Sequence, residues 1–395
     1  MVKRPDHVPA SFAPVNALGC ECTFWLGKDP AALPALAWAP CGDNVLPGLG
    51  CEKVAVSGFG QDWFHFAAIA SDTDHAGAPL AALAVFRDFV GPKTIVNWFW
   101  LDMTNLTAVA ELVSDRAAGT CIAQIPRLAP GVLLLNVNQS KEVPREEGGT
   151  SFAGNSGFAT LRLGADGAAV YAASEPFGGT SNYTPTSTDV YGRLLDNTSA
   201  GIYRANGLTP KGELLDLAPF TSAFPESSLG GSLVVLVSDG NYSGTGLYAP
   251  TTGFRPLLPP SLAEERAAFD LGGDGSVLVW TAARGRDGNG FYANNELYTA
   301  PATASVEQLA NTKRRVAKAD GGYRNRPWAV GCGYAAQRWE TSVLVVRLSD
   351  GTRWRIAKTS ITPRAITCEH IYGELDTLEL GRIRLDQLGD PLPSE

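Results

Sequence analysis

Charge is scarce in this chain, and so is helical patterning. Only 18% of its 395 residues are Asp, Glu, Lys or Arg, too few for a solvated disordered chain or for a coiled coil with its charged flanks. Acids outnumber bases 40 to 32, a net charge of −8, which excludes the broad positive surface that nucleic-acid or anionic-membrane binding needs. No apolar run approaches the roughly 18 residues of a membrane-spanning helix. The opening Met1-Val-Lys-Arg-Pro-Asp-His7 lacks the apolar core of a secretory leader.

The signatures of common catalysts are missing as well. There is no G-x-x-x-x-G-K-[ST], H-E-x-x-H, G-x-S-x-G or dinucleotide fingerprint, and no complete calcium loop, so no cofactor is expected. Histidine is rare. His65, in Trp63-Phe-His-Phe66, reads as a core residue. His75 closes Ser71-Asp-Thr-Asp-His75, where Asp72 and Asp74 add metal-binding or proton-relay chemistry to what reads first as a solvated turn. His370, near the chain end, reads as a polar turn position.

The seven cysteines include no C-x-x-C pair, which excludes zinc-ribbon and thioredoxin-type motifs. Cys41 and Cys51 bracket a Gly/Pro-rich loop short enough to close as a disulfide in an oxidising compartment. Cys121, Cys332 and Cys368 sit in apolar stretches and are expected to be buried small hydrophobes.

What the chain does contain is short β-type runs bounded by Gly, Asn, Asp and Pro, such as Ser232-Leu-Val-Val-Leu-Val237, Ser276-Val-Leu-Val-Trp280 and Val343-Leu-Val-Val-Arg-Leu348. The best helical candidate is Ser261–Asp270, a turn or two. The runs repeat. Gly201-Ile-Tyr-Arg precedes Gly212-Glu-Leu-Leu-Asp-Leu217, Gly246-Leu-Tyr-Ala precedes Gly253-Phe-Arg-Pro-Leu-Leu258, and Glu296-Leu-Tyr-Thr precedes Ser305-Val-Glu-Gln-Leu-Ala310. Tyr203, Tyr248 and Tyr298 thus recur at 45 and 50 residues. Asp166-Gly167 and Asp274-Gly275 precede further apolar strands, as tight hairpin turns do. Two hairpins in a period of about 50 residues make a four-stranded unit, and its repetition predicts an all-β fold, a β-propeller.

The order Asp-Gly, strand, loop, Leu-Tyr, strand, Leu, clearest from Asp274 to Leu309 and next from Asp166 to Leu217, resembles the repeat of the TolB-like (WD-like) β-propellers of bacterial envelopes. The resemblance implies one propeller domain over residues 1–395, of six or seven blades, in an extracytoplasmic setting; residues 114–160 depart from the repeat. Ring closure predicts one blade built from both chain ends, with Phe24-Trp-Leu26 and Leu33–Leu36 outside and Ala365–Cys368 and Gly381–Leu385 inside.

Propellers take ligands where loops converge at one channel face. Four segments are expected there as loops. Residues 311–328 carry six Lys or Arg against one Asp, and 141–149, 175–191 and 284–295 complete the set. Aromatic and Arg side chains among Gly, Ser and Asn make a recognition surface, and Tyr183, Tyr191, Arg284, Arg286, Tyr323, Arg324 and Arg326 are its candidate ligand-binding residues. The expectation is a non-enzymatic module binding a protein or carbohydrate ligand, with anionic character favoured. The alternatives are a hydrolase or lyase using the channel mouth, with carboxylates such as Asp72 or Asp74, and a structural part of an envelope assembly.

Overall fold

The computed structural model describes residues 10–17, 22–27, 35–42, 46, 48–57, 64–69, 80–87, 95–103, 106–115, 121–123, 127–129, 132–144, 150–163, 169–172, 180–186, 188–194, 202–206, 213–218, 220–229, 231–238, 243–257, 267–286, 292–319, 327–339, 341–357, 361–376 and 379–393. They form antiparallel sheets in chain order. The first sheet runs Ala13–Ala17, Cys22–Gly27, Thr107–Asp115, Ile95–Asp102, Leu80–Arg87, Phe64–Ile69. The second holds the long hairpin Val132–Pro144 with Thr150–Leu163, flanked by Arg127–Ala129, Cys121–Ala123 and Ala169–Ala172. Next comes Thr180–Pro185, Asp189–Leu194, Ile202–Asn206, Glu213–Leu214.

An 8-stranded sheet follows, made of two four-stranded runs. One is Ser222–Leu229, Ser232–Ser238, Ser243–Ala249, Gly253–Pro256, and the other Ala267–Gly273, Val277–Arg286, Tyr292–Pro301, Arg314–Lys318. A single parallel pair, Ser243 with Ala267, joins them. The sheet Ala329–Gly331, Tyr334–Trp339, Ser342–Arg347, Arg353–Ala357 comes next. The last sheet has five strands and draws on both ends of the chain, in the order Ala35–Pro40, Glu52–Ser57, Leu380–Arg384, His370–Leu375, Ile361–Ile366.

This shared sheet corrects the expected assignment of the early strands. Phe24-Trp-Leu26 lies in the first sheet, with Trp25 opposite Val113. The places beside the C-terminal strands go to Ala35–Pro40 and Glu52–Ser57, joined through Lys53 opposite Gly381 and Glu52 opposite Arg382. Strict four-stranded units hold from Thr180 to Ala357, whereas the first, second and last sheets have six, five and five strands.

The apolar runs are continuous because both faces of these sheets are covered. Leu233, Val234 and Val235 are all buried, as are Val343, Leu344, Val345 and Val346. The alternating faces feed different cores. Val343, Val345 and Ile356 meet Ile361, Ile371 and Ile383 of the shared sheet, while Leu344 and Val346 meet Val279, Leu297 and Ala317 of the preceding one. First strands of neighbouring sheets approach to backbone contact. A Cβ on Gly272 would collide with the carbonyl of Trp328, and one on Gly331 with the carbonyl of Ile366. Only glycine fits where backbones meet so closely. The Trp328 N–H also donates to the Asp270 carbonyl at 3.2 Å.

Two further expectations change. Ser305–Ala310 is not a strand. Residues Val306–Thr312 form a helix whose N-cap, Ser305, makes a capping box with Gln308, the Ser-x-x-Gln signature overriding the apolar alternation. Of the helical candidate Ser261–Asp270, residues 267–270 open a strand and 261–266 lie outside the described residues.

Cys41–Cys51 is a disulfide, with Cα atoms 5.5 Å apart. So is Cys332–Cys368, with Cα atoms 5.1 Å apart, which corrects the reading of these two as buried hydrophobes. Both are exposed, in the first hairpin turns of adjacent sheets, and the bond ties turn to turn. Among the described residues no helix is long and apolar enough to cross a membrane.

Candidate functional site

Antiparallel alternation gives each sheet two unlike ends. At one end lie the tight turns from first to second strand, which satisfy their own polar groups. The Asp274 carboxylate accepts from the N–H of Ser276 at 3.0 Å and of Val277 at 3.1 Å, with Gly275 at φ 85°. The Thr186 hydroxyl accepts from the Asp189 N–H at 3.1 Å, and the Thr367 hydroxyl from the His370 N–H at 3.1 Å. Turns that bond their own backbone in this way read as structural. The opposite end receives the second-to-third connections and the links from each fourth strand to the next sheet, and it is the candidate site.

The structure redraws the expected loops at this end. Residues 180–185 and 189–191 belong to strands, so Tyr183 lies on a first strand and Tyr191 on a second. Tyr191 is 0% exposed. Its ring packs edge-on to Tyr248 at 6.0 Å, in the core rather than on a recognition surface. Arg284 and Arg286 lie on Val277–Arg286, in a hairpin that extends to Arg286 opposite Tyr292. In 311–328, residues 314–318 form a strand and 311–312 end the helix. Tyr323, Arg324 and Arg326 lie outside the described residues. Lys141–Pro144 continue a strand within the second sheet and do not link two sheets. Asp72, Asp74 and His75 also lie outside the described residues.

Asn295 lies at the base of this end. It stands opposite Ala283, and its carbonyl accepts from the Ala319 N–H at 2.9 Å, the point where the chain leaves for Tyr323, Arg324 and Arg326. Asn295 is 2% exposed, and among the described residues neither polar atom of its carboxamide has a hydrogen-bond partner. A buried amide left without a partner is costly. Nearby, Trp328 Nε1 donates to the Thr281 hydroxyl at 3.0 Å, fixing the far end of the same connection. One sheet on, Arg338 bonds both oxygens of Asp376 and donates to the Thr362 hydroxyl at 3.2 Å.

Sequence reasoning missed a second pattern. In several first strands the register slips, so that extra residues bulge out of the ladder: Asn182 and Tyr183, then Glu226, then Asp270 and Leu271, then Arg364. Asp270 is 3% exposed and has φ 59°, an unusual backbone for a non-glycine that marks a constrained position. A lone Asp inside Ala267-Ala-Phe-Asp-Leu271 was the one visible signal. His370 lies at the structural end, and burial, with Arg382 beside it, pushes its imidazole below the ordinary value.

No family model and no curated protein matches this chain. Among solved structures, it is similar to TolB from Acinetobacter baumannii, with 10% identity, a TM-score of 0.38, and coverage of 79% of this chain and 66% of that one. It is also similar to a puromycin hydrolase, with 13% identity, a TM-score of 0.44 and coverage of 89% and 54%. A third is the β-propeller domain of the Trilobed protease from Pyrococcus furiosus, with 10% identity, a TM-score of 0.36 and coverage of 73% and 78%. The chain therefore spans under two thirds of the TolB chain and about half of the hydrolase. At such scores, fold and function rest on this chain's own residues.

Proposed function

We propose that residues 1–395 form one closed β-propeller and that it is a binding module, recognising a protein partner or surface glycan through its loop-bearing end. Counting the 8-stranded sheet as two gives seven blades. Neighbour contacts support a ring. Arg127–Ala129 adjoins Thr180–Pro185, which adjoins Ser222–Leu229. Ala267–Gly273 adjoins Ala329–Gly331, and that adjoins Ile361–Ile366. The circuit returns to its start because His370–Leu375 adjoins Phe64–Ile69, and Ala13–Ala17 adjoins Thr150–Leu163. Two disulfides support an oxidising, extracytoplasmic setting.

The observation that carries the binding reading is Asn295, whose buried carboxamide has no hydrogen-bond partner among the described residues and whose carbonyl holds Ala319, the last described residue before Tyr323, Arg324 and Arg326. With Tyr183, Arg284 and Arg286 these are the proposed ligand-binding residues, and Tyr191 is withdrawn as a core position. Arrayed glycans and envelope proteins probed with the native chain and with Arg324→Ala/Arg326→Ala test it. Ligands bound by the native chain and lost by the variant support the reading. Equal binding by both removes it.

A further inference from the structure

We infer that the third strand of the second sheet binds a second copy of this chain. The two strands pair edge to edge about a two-fold axis at Asn155. Val132–Pro144 and Thr150–Leu163 pair without interruption, from Val132 opposite Arg162 to Pro144 opposite Thr150. The fourth strand, Ala169–Ala172, reaches only Thr160–Leu163, and on the other side Cys121–Ala123 stops at Gln139. Among the described residues, 150–159 therefore pair along one edge alone, a free run of roughly 30 Å. Residues 140–144 with 150–154 form a bare two-stranded ribbon there. Such a ribbon is marginal in water, and further strands stabilise it. Ala13–Ala17 adjoins the strand without pairing with it. The stretch falls within residues 114–160, which depart from the repeat.

The composition of this edge says what pairs with it. Sheets guard open edges with charge, proline or shortness. The outermost strands elsewhere do so. Arg314–Lys318 and Arg353–Ala357 carry Arg or Lys, Gly253–Pro256 an Arg and a Pro, and Ala13–Ala17 and Ala35–Pro40 a Pro, while Glu213–Leu214 and Ala169–Ala172 are short. Thr150-Ser-Phe-Ala-Gly-Asn-Ser-Gly-Phe-Ala159 has neither charge nor proline. A second copy of a chain with net charge −8 meets no like charge along it. The stretch also reads nearly alike in both directions from Asn155: Gly154 matches Ser156, Ala153 Gly157, Phe152 Phe158, Ser151 Ala159 and Thr150 Thr160. An antiparallel pair about a two-fold axis sets each residue opposite its mirror position. The register then places Phe152 opposite Phe158 of the second copy, twice, with small residues between and Asn155 opposite itself. Aromatic cross-strand pairs stabilise such a ladder, and the axis closes the contact at two chains.

Sedimentation velocity of the whole chain, at concentrations up to about 100 μM, tests this. Expected is a monomer–dimer equilibrium. Asn155→Lys and Asn155→Glu, each checked for a native melting temperature, should each weaken the dimer about fivefold, because like charges then stand directly opposite one another. An equimolar mixture of the two variants should restore it, as only a position on the two-fold axis can. Hydrogen exchange of the native chain needs no variant: amides in 150–159 should gain protection as concentration rises, and those of Ser342–Arg347 should not. A chain monomeric at the highest concentration, a dimer undiminished in both charge variants, a mixture no tighter than either variant alone, or association without added protection at 150–159 would overturn the inference.

Discussion

Removing the Cys332–Cys368 bond probes how the sheets are held to one another. The bond joins exposed turns of adjacent sheets across a sequence separation of 36 residues. Because both cysteines are exposed, Cys332→Ser/Cys368→Ser sacrifices little apolar burial, and what it loses is the constraint on the unfolded chain. For a closed loop of that length the chain-entropy relation gives about 3.8 kcal/mol at 25 °C. Cys41–Cys51 closes only 10 residues, for which the same relation gives about 2.7 kcal/mol. The assay is urea unfolding of the native chain, each double-serine variant and the reduced protein, read as the shift in midpoint at unchanged m. The expected result is a midpoint below native for both variants, with the Cys332/Cys368 loss close to the entropic value and the Cys41/Cys51 loss above its own, because Cys51 is buried and its serine would set a hydroxyl in the core. A Cys332/Cys368 variant that keeps the native midpoint would refute the reasoning.

Gly331→Ala should cost about 1–3 kcal/mol, since its Cβ would meet the Ile366 carbonyl where first strands touch; a native melting temperature would contradict that contact. Arg382 stacks on Trp38 at 4.2 Å and pairs with Glu52 at 2.6 Å, bridging the two chain ends. Arg382→Ala should cost about 2–4 kcal/mol, and Arg382→Lys should recover only part of it, as the planar stack is lost; full rescue by Lys, read by urea unfolding, speaks against stacking. Burial holds the folded pKa of His370 below its ordinary 6.5, so below that value the unfolded state binds more protons and stability falls as pH drops. Above it this contribution is complete. His370→Gln should flatten the acid limb of the stability–pH curve, and an identical slope in both proteins would exclude the imidazole as its source.

The repeat was legible because each copy spends the same residues on the same job. Tyr203, Tyr248 and Tyr298 all stand on third strands opposite a fourth, facing Leu214, Phe254 and Arg315. Asp274-Gly275 was legible as a turn because its carboxylate and positive φ act locally. The candidate site was read less well, for a physical reason. Arg284, Arg286 and Tyr183 sit among Gly, Ser and Asn, which look like loop, yet hairpin pairing of Gly285 with Ala293 and Arg286 with Tyr292, and of the residues flanking Tyr183 with the strand Asp189–Leu194, carries the strands through them. Bulges at Glu226, Asp270 and Arg364 are offsets between two strands and leave no mark on either alone. The Cys332–Cys368 pairing is likewise a relation between two hairpins.

The shared sheet shows why such relations dominate here. Its two halves, over three hundred residues apart in sequence, meet through only Lys53 opposite Gly381 and Glu52 opposite Arg382. A backbone seam that short contributes little by itself, since each hydrogen bond nets only about 1 kcal/mol. Its strength comes from groups around it. Lys53 pairs with Glu379 at 2.9 Å, Glu52 with Arg382, and the Arg384 N–H reaches the Leu49 carbonyl at 3.2 Å. The Cys41–Cys51 loop then lays Leu46 and Leu49 over Leu385 and Leu388. The first disulfide preorganises the N-terminal bank of the seam, and the second ties the C-terminal bank to the sheet before it. Side chains and cross-links, more than the ladder, join the ends of this chain.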